Sequence, residues 1–272
     1  MIMIVGGDGK LGSALAARLR DLELPFIATS RRAGAKYYLD LRDVGQVARF
    51  RPRAAILCAA ETSISACRDN PTDTRLVNVE GNLALARQLA AGGCFVIGLS
   101  SNRVFDGSSP QVPSSARRCP TSTYGWQKAE LERGLFELGE LGCVFRLTKV
   151  ITPAMPLFES WRSDLGACKE IHPFRDMSFS PIPLELVVAA LIQAVQAARP
   201  GIFQLSAADD IGYAEAAKQL AAIMNIDESL VQASTSPEPM PKYTSLDTSR
   251  AERELGWQTM SAAETLDIYF DA

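Results

Sequence analysis

The sequence predicts an α/β fold, a doubly wound parallel sheet with a small C-terminal lobe. Three observations support this prediction. Short apolar segments alternate with segments of helical period through the first 150 residues, as in repeated βαβ units. The strand candidates are almost continuously apolar, which is typical of strands covered by helices on both faces. The first strand candidate leads directly into a glycine-rich loop.

The first part of the chain, residues 1–150, holds most of the predicted sheet. The predicted strands cover residues 2–5, 26–30, 37–39, 54–58, 95–99 and 144–147. The predicted helices between them cover residues 11–22, 72–91 and 123–138. This alternation predicts parallel strands, because each helix returns the chain to the same end of the sheet.

The second part, residues 151–272, is less regular and is expected to form mainly a ligand-binding lobe. It is predicted to contain helices at residues 184–198, 213–224, 248–255 and 262–270, a strand at 202–205 and a proline-rich loop at 234–241. The helix at 184–198 is expected to pack back on the core. The cleft between the two parts is the expected ligand site.

Composition excludes several classes of function. With 47% hydrophobic residues, a net charge of −3 and no basic stripe, the chain can build a core and is not expected to bind nucleic acid. No apolar run approaches the roughly 20 residues that span a bilayer, and no signal peptide precedes the first strand, so we expect a cytoplasmic protein. Six scattered cysteines and one histidine, His172, predict no metal site. A homodimer is the expectation from base rates.

The glycine-rich loop has the spacing Gly6, Gly9 and Gly12, with Lys10 and Leu11 opening the first helix. Glycines here permit positive φ and close approach to a pyrophosphate at the helix N-terminus. An ordinary glycine-rich turn is the alternative. At the first strand of a βαβ chain, the pattern favours a Rossmann-type domain that binds NAD(P).

The end of the second predicted strand bears on cofactor choice. Ser30, Arg31 and Arg32 stand where an acidic residue would favour NAD, and arginines there would attract the 2′-phosphate of NADP. The sequence therefore predicts a preference for NADP(H) over NAD(H), with solvated surface arginines as the alternative. Asp40 and Leu41, after the third predicted strand, are placed to flank the adenine.

Three residues form a candidate catalytic centre. Tyr124 and Lys128 lie one turn apart on one face of a predicted helix, and Ser101 ends a strand at the carboxyl edge of the sheet. A nearby ammonium is expected to lower the tyrosine pKa, so that Tyr124 can donate a proton to a carbonyl oxygen while hydride reaches the carbon. The Ser101 hydroxyl is expected to bind the same oxygen.

These motifs together resemble the extended short-chain dehydrogenases, and within them the dTDP-4-dehydrorhamnose reductase group. The resemblance runs in order through residues 6–12, Asp40-Leu41, 58–62, Asn70-Pro71, 77–82, 99–107, Tyr124-Gly125, Lys128, Arg146, 180–182, 201–206, 246–250 and 255–257. It implies that Ser101, Tyr124 and Lys128 are catalytic and that the dinucleotide contacts Gly9, Lys10, Leu11, Asp40, Leu41, Ala59, Ala60 and Glu61. It also implies reduction of a nucleotide-linked 4-keto-deoxysugar.

The sequence departs from this group on the substrate side. The group usually has Thr-Asp-Tyr where this chain has Ser101-Asn102-Arg103, and an aromatic residue where it has Lys149. The following segment, residues 152–156, lacks the usual glycines. Arg103 and Lys149 add positive charge that suits a more anionic substrate, unless both point to solvent. Arg175 is a further candidate for binding the substrate diphosphate, as are Arg162, Lys169 and Lys242.

Two other functions stay open at this point. An epimerase would keep its cofactor bound and regenerate it, whereas dehydration is disfavoured because Asn102 and Arg103 replace the Asp-Glu pair of dehydratases. Some members of the reductase group are regulatory subunits that bind cofactor or a partner without turnover. The complete set of Ser101, Tyr124 and Lys128 favours an enzyme.

Overall fold

Six parallel strands form the central sheet of the computed structural model, which describes residues 1–44, 50–152, 155–237 and 241–270. The strands are β1 (Ile2–Val5), β2 (Phe26–Thr29), β3 (Ala54–Leu57), β4 (Phe95–Ser101), β5 (Gly142–Leu147), β6 (Lys149–Ile151), β7 (Ser178–Phe179), β8 (Pro181–Pro183), β9 (Gly201–Leu205) and β10 (Ile211–Gly212). The central sheet has the order β2-β1-β3-β4-β5-β9. The predicted doubly wound parallel fold is confirmed.

The described helices are α1 (Lys10–Asp21), α2 (Ile64–Asp69), α3 (Pro71–Arg75), α4 (Asn82–Ala91), α5 (Thr123–Phe136), α6 (Pro156–Gly166), α7 (Leu184–Ala197), α8 (Tyr213–Ile223), α9 (Ser249–Leu255) and α10 (Ala262–Phe270). Helices cover both faces of the central sheet. Alternate residues of β1 face opposite cores. Ile2 and Ile4 pack in the core shared with α1 and α7, whereas Met3 and Val5 pack in the core shared with α4 and α5. Burial on both faces explains the continuous apolar strands.

The strand predicted at residues 37–39 is wrong. Tyr38 makes only an isolated bridge to Ser30, and the segment is a turn-rich loop. Leu39 and Leu41 are buried at the edge of the core, whereas Tyr38 before them is exposed and Asp40 between them is half-buried. This alternation of burial produced a strand-like pattern in a segment that pairs at one residue only.

The helix predicted at residues 72–91 is three consecutive pieces. A π-helical turn (Leu76–Gly81) joins α3 to α4. The turn brings Asn78, buried in the structure, towards the loop that follows β3. Such π turns are frequent at functional sites. A single wider turn inside a helical segment has no sequence pattern of its own, so the apolar period did not predict it.

The second part of the chain contributes to the central sheet and also forms a core of its own. β9 pairs with β5, and α7 packs against α1. A separate core, which includes Phe158, Trp161 and Phe270, is formed mainly by α6, α8 and α10. The division at residue 150 stays a prediction. The predicted loop at 234–241 includes residues 238–240, which lie outside the described residues, as do Pro153 and Ala154.

None of the described helices combines the length and the apolar character that a membrane span requires. Within the same described ranges, His, Cys, Asp and Glu side chains do not form a group of three or more that could hold a metal ion.

Candidate active site

Two adjoining cavities lie at the carboxyl edge of the central sheet. The smaller, of about 370 Å³, is lined by residues that include Gly6, Asp8, Gly9, Ser30, Arg31, Arg32, Asp40, Leu41, Ala59, Ala60 and Glu61. The larger, of about 700 Å³, is lined by residues that include Lys10, Leu11, Gly12, Ser101, Asn102, Arg103, Tyr124, Lys128 and Lys149. Gly9, Cys58 and Ala60 line both. The cavities therefore form one groove that passes the glycine loop.

The glycine loop is shaped by close packing. Gly6 has φ of +86°, and a Cβ there would lie 2.8 Å from the Cβ of Ala59. A Cβ on Gly12 would lie 2.2 Å from the carbonyl oxygen of Gly6. Both positions therefore require glycine.

The start of α1 fits a pyrophosphate. Its N-cap residue is Gly9, so no side chain caps the helix, and no acidic residue lies in the first turn. A Cβ on Gly9 would meet only the Gly6 carbonyl oxygen, at 3.5 Å, so the fold itself leaves room there. Uncapped N–H groups beside open space are the arrangement that binds a dinucleotide diphosphate.

An acidic residue does lie at the end of the second strand, but it comes from the glycine loop. Asp8 accepts a hydrogen bond from the Ser30 hydroxyl, and its Oδ2 lies 3.4 Å from Nε of Arg32. The backbone N–H of Arg32 also donates to Ser30 Oγ at 3.0 Å. Asp8 was not predicted at this position because it lies 22 residues before Ser30 in the chain.

Asn78 positions the loop after β3. Its Oδ1 accepts from the Glu61 backbone N–H at 2.8 Å, and its Nδ2 donates to the Glu61 carbonyl at 2.9 Å. Nδ2 also donates to Gln127 Oε1, at 2.7 Å, on the helix that carries Tyr124 and Lys128. Asn78 thus links the loop after β3, which lines the smaller cavity, to α5, the helix that carries Tyr124 and Lys128. In the sequence, the available signal for this role was a polar residue, Asn78, between two apolar ones, Val77 and Val79.

The three predicted catalytic residues are brought together. Ser101 ends β4, where its Oγ accepts from the backbone N–H of Arg103 at 3.2 Å. Ser122 caps α5 by accepting from the Gly125 N–H at 3.1 Å, which places Tyr124 in the first turn. Ser101 and Tyr124 line the same cavity, and Lys128 Nζ lies 5.6 Å from the centre of the Tyr124 ring.

The titration of this cluster is dominated by burial. Burial raises the pKa of Tyr124 to about 12, a rise opposed by the polar hydroxyl of Ser101 and by the charge of Arg103. Burial likewise lowers the pKa of Lys128 to about 8. The expectation that the Tyr124 pKa is lowered is therefore not met in this structure, because removal from water has the largest effect on the pKa of each group.

The Lys128→Met variant is expected to stabilise the cofactor-free protein by about 3 kcal/mol at pH 7. Because burial lowers the pKa of Lys128 from 10.5 to about 8, the folded state binds this proton less tightly than the unfolded state. The destabilisation is complete below pH 8 and disappears as the pH rises towards 10.5.

This prediction is checked by denaturant unfolding of both proteins between pH 7 and 10.5. The difference in unfolding free energy should shrink as the pH rises. Lys218→Met, which removes an exposed lysine paired with Glu228, serves as the matched control and should show no such trend. A difference that stays constant at all pH values would contradict the claim that burial destabilises the charged form of Lys128.

The substrate side of the larger cavity contains both positively charged departures. Lys149 Nζ donates to the Tyr213 hydroxyl at 2.9 Å and lies 5.6 Å from the centre of the Phe179 ring. Arg103 also lines this cavity, as does Asn102, whose Oδ1 accepts from the Ser101 hydroxyl at 3.1 Å.

The other basic candidates lie elsewhere. Arg175 is exposed, donates to the Ala233 carbonyl and does not line either cavity. Arg162 donates to the carbonyls of Tyr269 and Phe270. Lys169 and Lys242 also lie outside the linings of the two cavities. The structure therefore brings only Arg103 and Lys149, of this set, to the groove.

Comparison with known proteins gives a consistent family. A family model described as the RmlD substrate binding domain matches residues 1–272. Methionine adenosyltransferase 2 subunit beta of Xenopus tropicalis is 31% identical over 164 residues, which are 58% of this chain and 49% of that protein. dTDP-4-keto-6-deoxy-D-glucose reductase of Streptomyces niveus is 31% identical over 141 residues, 50% of this chain and 47% of that protein. The chain spans about half the length of these relatives.

A solved structure has the same fold over nearly the whole chain. dTDP-4-dehydrorhamnose reductase from Bacillus anthracis, solved in complex with NADP, aligns with a TM-score of 0.87 at 21% sequence identity. The alignment covers 99% of this chain and 96% of that one. At this identity the likeness concerns the fold alone.

Proposed function

The chain belongs to the RmlD substrate binding domain family of extended short-chain dehydrogenases, and we propose that it is an NADPH-dependent reductase of a nucleotide-linked keto-deoxysugar. The observation that carries the proposal is the position of Ser101, Tyr124 and Lys128 in the lining of a cavity that also includes the glycine loop. A dinucleotide on that loop and a keto-sugar beside Tyr124 fit the two ends of one groove.

In this proposal Tyr124 is the proton donor. Its side chain is buried and lines the same cavity as Ser101, so a keto oxygen bound between the two hydroxyls receives a hydrogen bond from each residue. When bound, the reduced nicotinamide supplies hydride to the keto carbon. Lys128, held by a hydrogen bond of 2.9 Å from Nζ to the Leu99 carbonyl, can bind the nicotinamide ribose and return a proton to Tyr124.

Preference for NADPH is supported by Arg31 and Arg32 at the edge of the smaller cavity, and the structure of the Bacillus anthracis relative contains NADP. Asp8 opposes this preference, because its carboxylate lies beside Arg32 and would repel a 2′-phosphate. We propose that the arginines outweigh Asp8, since two cations there face one carboxylate.

The Asp8→Asn variant is expected to raise the ratio of kcat/KM for NADPH to that for NADH several-fold. The amide removes the negative charge and can still accept the hydrogen bond from Ser30. Arg32→Ala is expected to lower the same ratio. Initial rates with each cofactor at a fixed keto-sugar concentration measure both variants. A ratio unchanged by either substitution would contradict the assigned position of the 2′-phosphate.

The proposed function is tested by adding NADPH and nucleotide-linked 4-keto-deoxysugars to the protein and following the loss of NADPH absorbance. Turnover with at least one sugar is expected, whereas NADPH binding without oxidation by any sugar would overturn the assignment. An epimerase, the alternative within enzymes, would convert a sugar without net NADPH loss, so the same samples distinguish the two.

A role as a non-catalytic subunit is the second candidate. It is favoured by the relative from Xenopus tropicalis, which is named as a subunit of methionine adenosyltransferase 2. The complete set of Ser101, Tyr124 and Lys128 argues against this candidate. A protein that only binds has no chemical need for a buried tyrosine beside a lysine whose charged form is destabilised by burial. Co-purification with a larger enzyme, together with no NADPH oxidation, would favour this candidate.

A further inference from the structure

The larger cavity is strongly positive although the chain as a whole carries a net charge of −3. Its lining includes Lys10, Arg103, Lys128 and Lys149, and among the described residues that line it there is no aspartate or glutamate. A low-dielectric cleft lined by one sign of charge concentrates ligands of the opposite sign. The cavity therefore selects for anions.

A bound dinucleotide accounts for two of these four cations. Lys10 opens α1, where the pyrophosphate fits. Lys128 lies beneath Tyr124, with its Nζ bonded to the Leu99 carbonyl. The other two lie towards the sugar end, with Met155, Met177 and Phe179 of the same lining. Arg103 and Lys149 therefore need a different explanation.

Among the residues that the structure describes, no carboxylate pairs with either of these two cations. Lys149 bonds to a neutral group, the Tyr213 hydroxyl, and lies 5.3 Å from the centre of that ring. The Arg103 guanidinium makes no hydrogen bond or ion pair with the residues that the structure describes. Burial lowers the pKa of Arg103, and its charge acts on both Tyr213 and Tyr124. Lys149 therefore lies against Tyr213, and Arg103 lines the same cavity as Tyr213 and Tyr124.

The chain pairs its deeply buried guanidinium, that of Arg146, completely, whereas Arg103 is half-buried in the cavity wall. Arg146 donates to both carboxylate oxygens of Glu132, at 2.9 and 2.8 Å, and to Gln204 Oε1 at 3.0 Å. An unpaired charge taken out of water is costly, and a protein retains one where a ligand supplies the partner. The contrast between Arg146 and Arg103 indicates that the partner of Arg103 arrives with the substrate.

We propose that the substrate carries an anionic group on the sugar itself, a carboxylate bound between Arg103 and Lys149 next to the keto group that Tyr124 protonates. This inference rests on the proposed reductase function and narrows its substrate class to acidic sugars. The diphosphate of a sugar nucleotide is the other possible source of an anion. Its contribution is the same for two sugars that share one nucleotide, so a matched pair separates the two sources.

The test uses protein saturated with NADP⁺ and titrated calorimetrically with UDP-glucuronate and UDP-glucose, which differ only in a carboxylate at C6. UDP-glucuronate is expected to bind about tenfold more tightly or better. Lys149→Met and Arg103→Met should each remove most of this difference. Lys149→Arg keeps the charge and should retain it, and Lys218→Met on the exposed face of α8 should leave it unchanged.

Equal binding of the two sugars, or no binding of either, would overturn the inference. A preference for glucuronate that survives both methionine variants would also overturn it, because the carboxylate would then bind elsewhere. The proposed function fails separately, in the NADPH assay. A carboxylate preference that depends on Arg103 and Lys149 but accompanies no NADPH oxidation would leave the acidic-ligand site in place and remove the reductase assignment.

Discussion

Tyr124→Phe is expected to lower kcat for keto-sugar reduction by roughly 10²- to 10⁴-fold, the usual contribution of a positioned general acid. The substitution removes only the hydroxyl that would protonate the keto oxygen. The ring stays buried at the start of α5, so NADPH binding and the unfolding free energy should change little. Steady-state rates and a fluorescence titration with NADPH measure the two effects.

The control for this prediction is Tyr243→Phe, which removes a tyrosine hydroxyl outside the lining of both cavities. That variant should keep full activity. If Tyr124→Phe also keeps full activity, another group or water donates the proton, and the role of the Ser101, Tyr124 and Lys128 cluster would have to be abandoned. Loss of NADPH binding in the Phe variant would instead indicate a structural role for the hydroxyl.

Glu132→Leu is expected to cost about 3–5 kcal/mol of unfolding free energy, because it leaves a buried arginine unpaired. Glu132 on α5 is 0% exposed and Arg146 on β5 is 1% exposed. The same carboxylate accepts from the Ser100 hydroxyl at 2.5 Å and from Arg118 at 3.2 Å. Because Ser100 precedes Ser101, activity should fall together with stability.

Denaturant unfolding of the variant measures this cost, with Glu137→Leu as the matched control. Glu137 forms an exposed ion pair with Arg87 at 3.0 Å, so its loss should cost about 1 kcal/mol or less. The double variant Glu132→Leu with Arg146→Met should recover much of the lost stability, since it removes both buried charges. A cost at Glu132 no larger than at Glu137 would contradict the buried network.

The parallel sheet could be predicted because its physical cause is local. Strands β1 and β3 are buried on both faces, and such strands must be apolar at every position. The segment at residues 37–39 was wrongly predicted to be a strand, because a loop whose residues are alternately buried and exposed has the same sequence pattern as a strand. The π-helical turn at Leu76–Gly81 was not predicted, because one turn is too short to show a separate period of apolar residues.

That Ser101, Tyr124 and Lys128 share one cavity with the glycine loop could be predicted, because they lie at or near element ends that the Tyr-x-x-x-Lys spacing and the glycine loop identify. Contacts across the fold could not. Asp8 reaches Ser30 over 22 residues, and Glu132 looks like a surface residue of a helix until β5 brings Arg146 against it. The sequence also left open whether Arg103 and Lys149 face solvent; in the structure both are half-buried and line the larger cavity.

The most direct test of the central claim is to follow deuterium from NADPH labelled at the transferable position of the nicotinamide into the sugar. The proposed reductase should place one deuterium on the former keto carbon for each NADPH consumed, and Tyr124→Phe should slow this transfer as much as it slows turnover. Mass spectrometry of the isolated sugar measures the label. A sugar that is converted without label, or NADPH that binds without any transfer to a keto-sugar, would contradict the reductase assignment.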